Sequence, residues 1–198
     1  SVAGGRRAIF AAFGLGKTFM QLEAVRCALA GCSPDALGLI VAPLGVRQEF
    51  RRDAARLGIR LEFVRTIEET RRLAADGARI FITNYETVRD GKLDPRHFTA
   101  TSLDEASCLR GFGGTKTFRE FMKLFAGDDR STGVRSEGVR FRFVATATPS
   151  PNDFIELLAY AAYLFNVPQQ WIIVGGLVLV GLGVMKAVSK TRPKDSPN

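Results

Sequence analysis

The sequence predicts an α/β protein with a mainly parallel β-sheet and helices on both of its faces. Apolar stretches that suit buried strands alternate with helix-forming stretches between residues 6 and 165. The run at residues 37–42 is apolar throughout, as is typical of a strand covered on both faces. A length of 198 residues is sufficient for one domain with a full core.

The first strand–helix unit contains a Gly-rich connection. Residues 8–13 predict a buried strand and residues 19–29 predict a helix with good helix formers. Between them, Gly14 and Gly16 allow backbone N–H groups to turn toward an anion, and the new helix adds its unpaired N–H groups and positive dipole end. This layout is typical of a phosphate-binding loop.

The residues that follow the glycines support a nucleotide ligand. Lys17 can reach the β- and γ-phosphates, and the Thr18 hydroxyl can ligate Mg²⁺. Leu15 lies between the two glycines and belongs to the same loop. Ala11 occupies the position where the general pattern begins with Gly. A chance Gly-rich turn is the alternative, but the strand before it and the helix after it favour a site for ATP and Mg²⁺.

The remaining elements follow from apolar patterning and from turn residues. The further strands are expected at residues 37–42, 60–64, 79–83, 100–103 and 140–145. The further helices are expected at residues 46–57, 66–75, 115–125 and 152–165. Thr66 is the expected N-cap of its helix because Glu69 follows three residues later. The polar stretch at residues 127–138 is expected to be an exposed loop.

Chemically useful residues follow several of these strands. Besides the phosphate loop, Pro43, Thr83, Asp104 and Thr146 fall at the predicted carboxyl ends. Ligands bind at that edge of an open parallel sheet. An acidic pair there, Asp104 and Glu105, is costly unless a cation or a proton uses it. Asp104 is therefore suited to hold Mg²⁺ and Glu105 to activate water, with an acidic helix N-terminus as the alternative.

Composition excludes several other classes of site. The chain has three cysteines without a C-x-x-C pair, and one histidine, His97. These counts argue against a disulfide framework, a zinc site and a Ser-His-Asp triad, and they suit a reducing, cytoplasmic setting. The net charge of +8 is compatible with a nucleic-acid partner but does not establish one, because solvated basic faces are common.

Five short motifs together resemble the first RecA-like lobe of superfamily 2 helicases and translocases, in the Swi/Snf-type and phage helicase branch. They occur in the order of that family over about residues 6–165. Motif I corresponds to residues 14–18, motif Ia to 41–44, motif Ib to 82–86, the DExx box to 104–107 and motif III to 146–152.

The resemblance implies an ATP hydrolase that depends on nucleic acid, with DNA as the expected form. It implies catalytic roles for Lys17 and Glu105 and a Mg²⁺ site at Thr18 and Asp104. It implies nucleic-acid contacts from motifs Ia and Ib, whose candidates are Pro43, Leu44, Arg47, Thr83 and Tyr85. For the arginines of the 46–57 helix a solvated face is the alternative, and for Tyr85 a half-buried turn aromatic.

Motif III implies that Thr146 and Thr148 couple the state of the nucleotide to the grip on nucleic acid; a strand-end cap before Asn152 is the alternative. Two parts of the family pattern are missing from the sequence: the second RecA-like lobe and the upstream glutamine that reads adenine, which Gln21 cannot replace because it follows the loop. The isolated chain is therefore expected to turn ATP over weakly. A truncated nucleotide- or DNA-binding module is the alternative function.

The C-terminal part, residues 166–198, is expected to lie outside this lobe. No charged residue occurs from Leu157 to Met185, and residues 171–188 approach the minimum length of a membrane span. The basic residues follow this stretch only on its C-terminal side, so the positive-inside rule would place the lobe outside the cell, away from ATP. Association with a membrane through residues 171–188 is therefore the disfavoured alternative to a cytoplasmic protein.

Overall fold

A computed structural model of the chain describes residues 5–109, 116–129, 132, 134–148 and 155–166. Its eight strands are β1 (Arg6–Phe10), β2 (Gly38–Val41), β3 (Leu61–Phe63), β4 (Ile80–Thr83), β5 (Ala100–Asp104), β6 (Asp128–Asp129), β7 (Val134–Arg135) and β8 (Phe141–Thr146). Six of them form one sheet in the order β1-β8-β5-β2-β4-β3, in which every neighbouring pair is parallel. The predicted α/β class with a parallel sheet is confirmed.

Within the described residues, six α-helices accompany the sheet: α1 (Lys17–Ala30), α2 (Arg47–Arg56), α3 (Ile67–Ala75), α4 (Tyr85–Arg89), α5 (Lys116–Phe121) and α6 (Ile155–Phe165). The hydrophobic core is divided by the sheet into two clusters. Leu39 and Val41 point into one cluster, whereas Ile40 and Ala42 point into the other. Alternate residues of β2 thus fill opposite faces, which explains why the whole run at 37–42 is apolar.

The first unit differs slightly from its predicted boundaries. β1 ends at Phe10 rather than at residue 13, although the Ala11 N–H still donates to the Thr146 carbonyl over 3.3 Å. α1 begins two residues earlier than expected, at Lys17, directly after the left-handed Gly16. The chain therefore passes from strand to helix through a short turn that contains both glycines.

Helix α3 begins as predicted. The Glu69 N–H donates to Thr66 Oγ1 over 3.2 Å, which makes Thr66 the N-cap. The Glu69 carboxylate accepts from the Arg65 N–H at 2.7 Å, one residue before the position expected in a capping box. The reciprocal cap still satisfies two backbone donors at the start of the helix.

The expectation of an exposed loop at residues 127–138 was wrong for the two short strands within it, whereas Thr132, Ser136 and Glu137 are exposed as expected. β6 and β7 pair antiparallel, and Asp128 is buried. Gly127 has φ +70, and a Cβ built on it would lie 2.1 Å from the Ser136 carbonyl oxygen. Glycine therefore serves here as a close-packing residue of a folded hairpin and not as a mark of flexibility. The expected helix at 115–125 is also divided, because a π-helical turn, Met122–Ala126, follows α5.

No helix among the described residues is both long enough and apolar enough to cross a bilayer. Residues 171–188, on which the membrane alternative depends, lie outside the described residues. The predicted boundary between residues 165 and 166 therefore stays a prediction.

Candidate nucleotide-binding site

The carboxyl ends of three neighbouring strands bring the predicted site residues together. β8 lies between β1 and β5, with Phe10 opposite Thr146 and Asp104 opposite Ala145. The phosphate loop, the acidic pair and Thr146 therefore meet at one edge of the sheet. The sequence prediction placed these residues at strand ends, and the strand order makes them neighbours.

The phosphate loop has the backbone that an anion site requires. Gly14 and Gly16 have φ values of 82° and 73°, in the left-handed region that favours glycine. Gly16 is the N-cap of α1, and because glycine has no side chain it offers the helix no capping hydrogen bond. The first N–H groups of this 14-residue helix thus lack a side-chain cap and carry the positive end of the helix dipole.

Lys17 lies between an acidic group and an aromatic ring. Its Nζ is 4.0 Å from Glu105 Oε2 and 4.6 Å from the centre of the Phe13 ring. Phe13 is 77% exposed, and sequence reasoning assigned it no role. Both contacts attract the ammonium group, so they hold Lys17 over the loop and next to the acidic pair.

Glu105 adopts a strained backbone conformation at the centre of the site. Its φ of +50° lies in the left-handed region, which is uncommon for a residue with a Cβ. Thr146 Oγ1 donates to Glu105 Oε1 over 3.1 Å and accepts from the Thr148 N–H over 3.1 Å. Motif III therefore contacts the acidic pair directly, through the hydroxyl of Thr146.

Asp104 is 7% exposed and is linked through Gln21 to Ser102, two polar residues that the sequence analysis did not assign to the site. Gln21 Nε2 donates to Asp104 Oδ1 over 2.7 Å, and Ser102 Oγ donates to Gln21 Oε1 over 2.7 Å. Burial raises the pKa of Asp104 and the negative Glu105 adds to this, whereas the Gln21 hydrogen bond and Lys17 oppose it. The sequence signal was a second polar residue, after Thr18, on a side of α1 whose other buried residues are apolar.

A cavity of about 290 Å³ adjoins the loop. Its lining includes Lys17 and Thr18, both acidic residues and one face of α2, which sequence reasoning did not connect to this site. The α2 residues are Glu49, Arg52, Asp53 and Arg56. Arg56 and Arg52 lie 3.3 and 3.7 Å from Asp53 Oδ1. Two of the four α2 arginines therefore face the candidate nucleotide site.

The donor atoms at the site fit Mg²⁺. The Thr18 hydroxyl and the Asp104 carboxylate are oxygen donors, which hard cations prefer, and both residues are largely buried. No group of three or more His, Cys, Asp or Glu side chains with metal-site geometry occurs in the described ranges. This pattern suits a magnesium ion that takes its remaining ligands from substrate phosphates and water.

The candidates for nucleic-acid contact separate into exposed and inward-facing residues. Leu44 is 55% exposed, and the Arg47 guanidinium lies 4.5 Å from the centre of the Phe63 ring. These two residues and Pro43 line a shallow groove next to β4. Thr83, by contrast, is only 1% exposed, although it lines the same groove.

Tyr85 is directed toward the acidic pair. Its hydroxyl donates to the backbone carbonyl of Asp104, and its ring stacks on Phe121 at a centroid distance of 5.8 Å. The phenol therefore links the start of α4 to the end of β5. This placement agrees with the half-buried aromatic that the sequence analysis kept as the alternative for Tyr85.

Comparison with known proteins identifies the fold. No protein-family profile matches the sequence, and no curated protein matches it. The structure is similar to the Sulfolobus solfataricus SWI2/SNF2 ATPase core in complex with dsDNA, with a TM-score of 0.59, 20% identity and coverage of 82% of this chain and 32% of that one.

Two further solved structures are similar. For the UvsW helicase from bacteriophage T4 the TM-score is 0.52 at 14% identity, over 80% of this chain and 54% of that one. For the Hef helicase domain of Pyrococcus furiosus the TM-score is 0.57 at 15% identity, over 82% of this chain and 35% of that one. The chain spans about a third to a half of the length of these proteins.

The fold is that of an α/β lobe with a parallel sheet. More specifically, it is the RecA-like lobe fold of the helicase and SWI2/SNF2 ATPase structures to which the chain is similar. This agrees with the resemblance that the five sequence motifs indicated.

Proposed function

We propose that this chain is the ATP-binding lobe of a nucleic-acid-dependent ATPase of the helicase or DNA-translocase type. One observation carries the proposal: Lys17, Thr18, Asp104 and Glu105 lie together at one sheet edge and line one cavity. An ammonium, a hydroxyl and two carboxylates next to an uncapped helix N-terminus are the groups that phosphoryl transfer from Mg-ATP requires.

Each group has a distinct task in this mechanism. The loop N–H groups and Lys17 hold the β- and γ-phosphates, and Thr18 and Asp104 would hold Mg²⁺. When bound, the metal neutralises charge on the phosphate oxygens. Glu105 orients the attacking water and accepts its proton, and the hydrogen bond from Thr146 keeps the Glu105 carboxylate in place.

The nucleic acid is proposed to lie along the groove of Pro43, Leu44 and Arg47, with DNA as the expected form. Arg47 stacked on Phe63 presents a guanidinium to a phosphate with little freedom left to lose. Thr83 lines the same groove. Tyr85 follows this groove in the chain, and its hydroxyl donates to the backbone carbonyl of Asp104. In motif III, Thr146 donates to Glu105 and accepts from the Thr148 N–H. These three residues would therefore couple the bound nucleotide to the nucleic acid.

The phosphate site is tested by titration of a fluorescent ATP analogue with Mg²⁺. Lys17→Ala is expected to reduce the affinity at least tenfold, because it removes the ammonium that reaches the phosphates. Lys92→Ala, which removes an exposed lysine near Asp90, is the matched control and should bind as wild type. Equal affinity of wild type and Lys17→Ala would refute the assignment of the loop.

The catalytic assignment is tested by steady-state ATP hydrolysis with and without DNA. Glu105→Gln should bind nucleotide normally and lose about 100-fold or more in turnover, the usual contribution of a general base. Wild-type-like turnover of this variant would show that the base lies elsewhere. Nucleotide binding without turnover in the wild type would favour the second candidate function, a nucleotide- or DNA-binding module.

A further inference from the structure

Gln21 is a buried polar residue that the proposed mechanism does not yet use. It lies on α1 three residues after Thr18, and therefore on the same side of the helix. Its exposed fraction is 0%. A primary amide at such a depth is costly unless its donors and its acceptor are paired, so its contacts define what it does.

The two contacts of Gln21 determine how its amide is oriented. Ser102 Oγ donates to Oε1 over 2.7 Å, and Nε2 donates to Asp104 Oδ1 over 2.7 Å. An ionised carboxylate only accepts hydrogen bonds, so the NH₂ group must face Asp104. Ser102 and Asp104 are alternate residues of β5 and lie on the same face of the sheet, which lets one amide bridge them.

We propose that Gln21 is a positioning residue for the magnesium site, holding the Asp104 carboxylate in the orientation that faces Thr18. The inference rests on the proposed function. The buried hydrogen bond from Gln21 restrains rotation of the carboxylate, which would otherwise turn freely about its last side-chain bond. Because Thr18 and Gln21 belong to one helix, α1 places both the hydroxyl ligand and the group that orients the carboxylate ligand.

The test separates metal-dependent from metal-free nucleotide binding. The dissociation constant of a fluorescent ATP analogue is measured in Mg²⁺ and in EDTA. The ratio of the EDTA value to the Mg²⁺ value is the Mg²⁺ gain, the factor by which the metal tightens binding. Gln21→Met keeps the length of the side chain but donates no hydrogen bond. It should lower this gain about tenfold or more, as for other residues that orient metal ligands, and leave binding in EDTA unchanged.

Two further variants keep the test decisive. Ser102→Ala leaves the glutamine in place but removes the hydroxyl that orients its amide, and it should lower the gain by a smaller factor. Thr70→Val removes a buried hydroxyl that donates to the Thr66 carbonyl, far along the chain from the site. It is the control for a lost buried hydrogen bond, and its Mg²⁺ gain should equal that of wild type.

The outcomes distinguish the inference from the function on which it rests. A full Mg²⁺ gain in Gln21→Met would overturn the positioning role while the nucleotide site stands. Should that variant fail to fold, a full gain in Ser102→Ala would overturn the role in its place. Failure of the wild type to bind the analogue would refute the proposed function, and the inference with it.

Discussion

At the scale of single residues, burial of the Asp104 carboxyl makes the stability of the folded protein depend on pH. The folded protein holds this carboxyl with a raised pKa, chiefly because the group is buried. The folded state therefore binds its proton more tightly than the unfolded chain does, and stability falls as the pH rises through the interval between the two pKa values. At neutral pH the ionised Asp104 costs stability, which a bound cation would offset.

Asp104→Asn is therefore expected to raise the melting temperature at pH 7 in the absence of Mg²⁺. The asparagine oxygen can still accept from Gln21, but the residue no longer ionises in the core. The difference from wild type should be smaller at pH 4, where the folded wild type is more fully protonated. Thermal unfolding at both pH values measures this, and a lower melting temperature for the variant at pH 7 would contradict it.

At the scale of elements, close contact between α1 and the sheet positions the phosphate loop. β2 passes beneath α1 at Gly38, which is buried. A Cβ on Gly38 would lie 2.4 Å from Val25 Cγ1 and 3.2 Å from Leu29 Cδ1. The helix thus approaches the strand so closely that only glycine fits there, and the position of α1 in turn places Lys17, Thr18 and Gln21.

Gly38→Ala should destabilise the fold by about 1–3 kcal/mol, the usual range for overpacking a core. Gly31, at the end of α1, is the matched control because a Cβ on it meets nothing within 4 Å. Gly31→Ala should change the free energy of unfolding by less than about 0.5 kcal/mol. Urea denaturation of both variants measures the difference. Equal midpoints would contradict the prediction and show that α1 can move away from β2 without loss of stability.

At the scale of the whole molecule, one buried side chain joins parts of the core cluster that contains Leu39 and Val41. Arg142 of β8 is 0% exposed. Its guanidinium donates to the carbonyl oxygens of Phe125, Val139 and Leu164 and to the side-chain oxygen of Asn166. Burial lowers its pKa to about 10, so the group is still cationic at neutral pH. It connects the sheet, the π-helical turn and the end of α6.

Arg142→Met is expected to lower the free energy of unfolding by at least about 3 kcal/mol, because three carbonyl oxygens and the Asn166 side chain lose a charged donor together. Arg140→Met serves as the control, since Arg140 is exposed and its guanidinium lies over the Phe141 ring at 4.9 Å. Chemical denaturation of the two variants is the measurement. Similar stability for both would mean that the carbonyls find other partners.

The strand-end residues were predictable from the sequence because local patterns define them. An apolar run followed by glycines, or by an acidic pair, indicates both a strand and the edge where it ends. Gln21 was not predictable as a partner of Asp104, since the two residues are 83 positions apart and no local pattern links them. The arginines of α2 are a similar case. Their spacing shows which of them share a face of the helix, but not which part of the protein that face contacts.

The sequence by itself determined the α/β class, the phosphate loop and the acidic pair, since these depend on residue type and on spacing within single elements. Only the tertiary structure decided that Arg52 and Arg56 line the cavity beside Lys17 while Arg47 packs on Phe63, and that the Tyr85 hydroxyl reaches Asp104. Such contacts depend on strand order and on the depth to which each helix packs. Both are set by the summed packing of distant residues, which no short segment encodes.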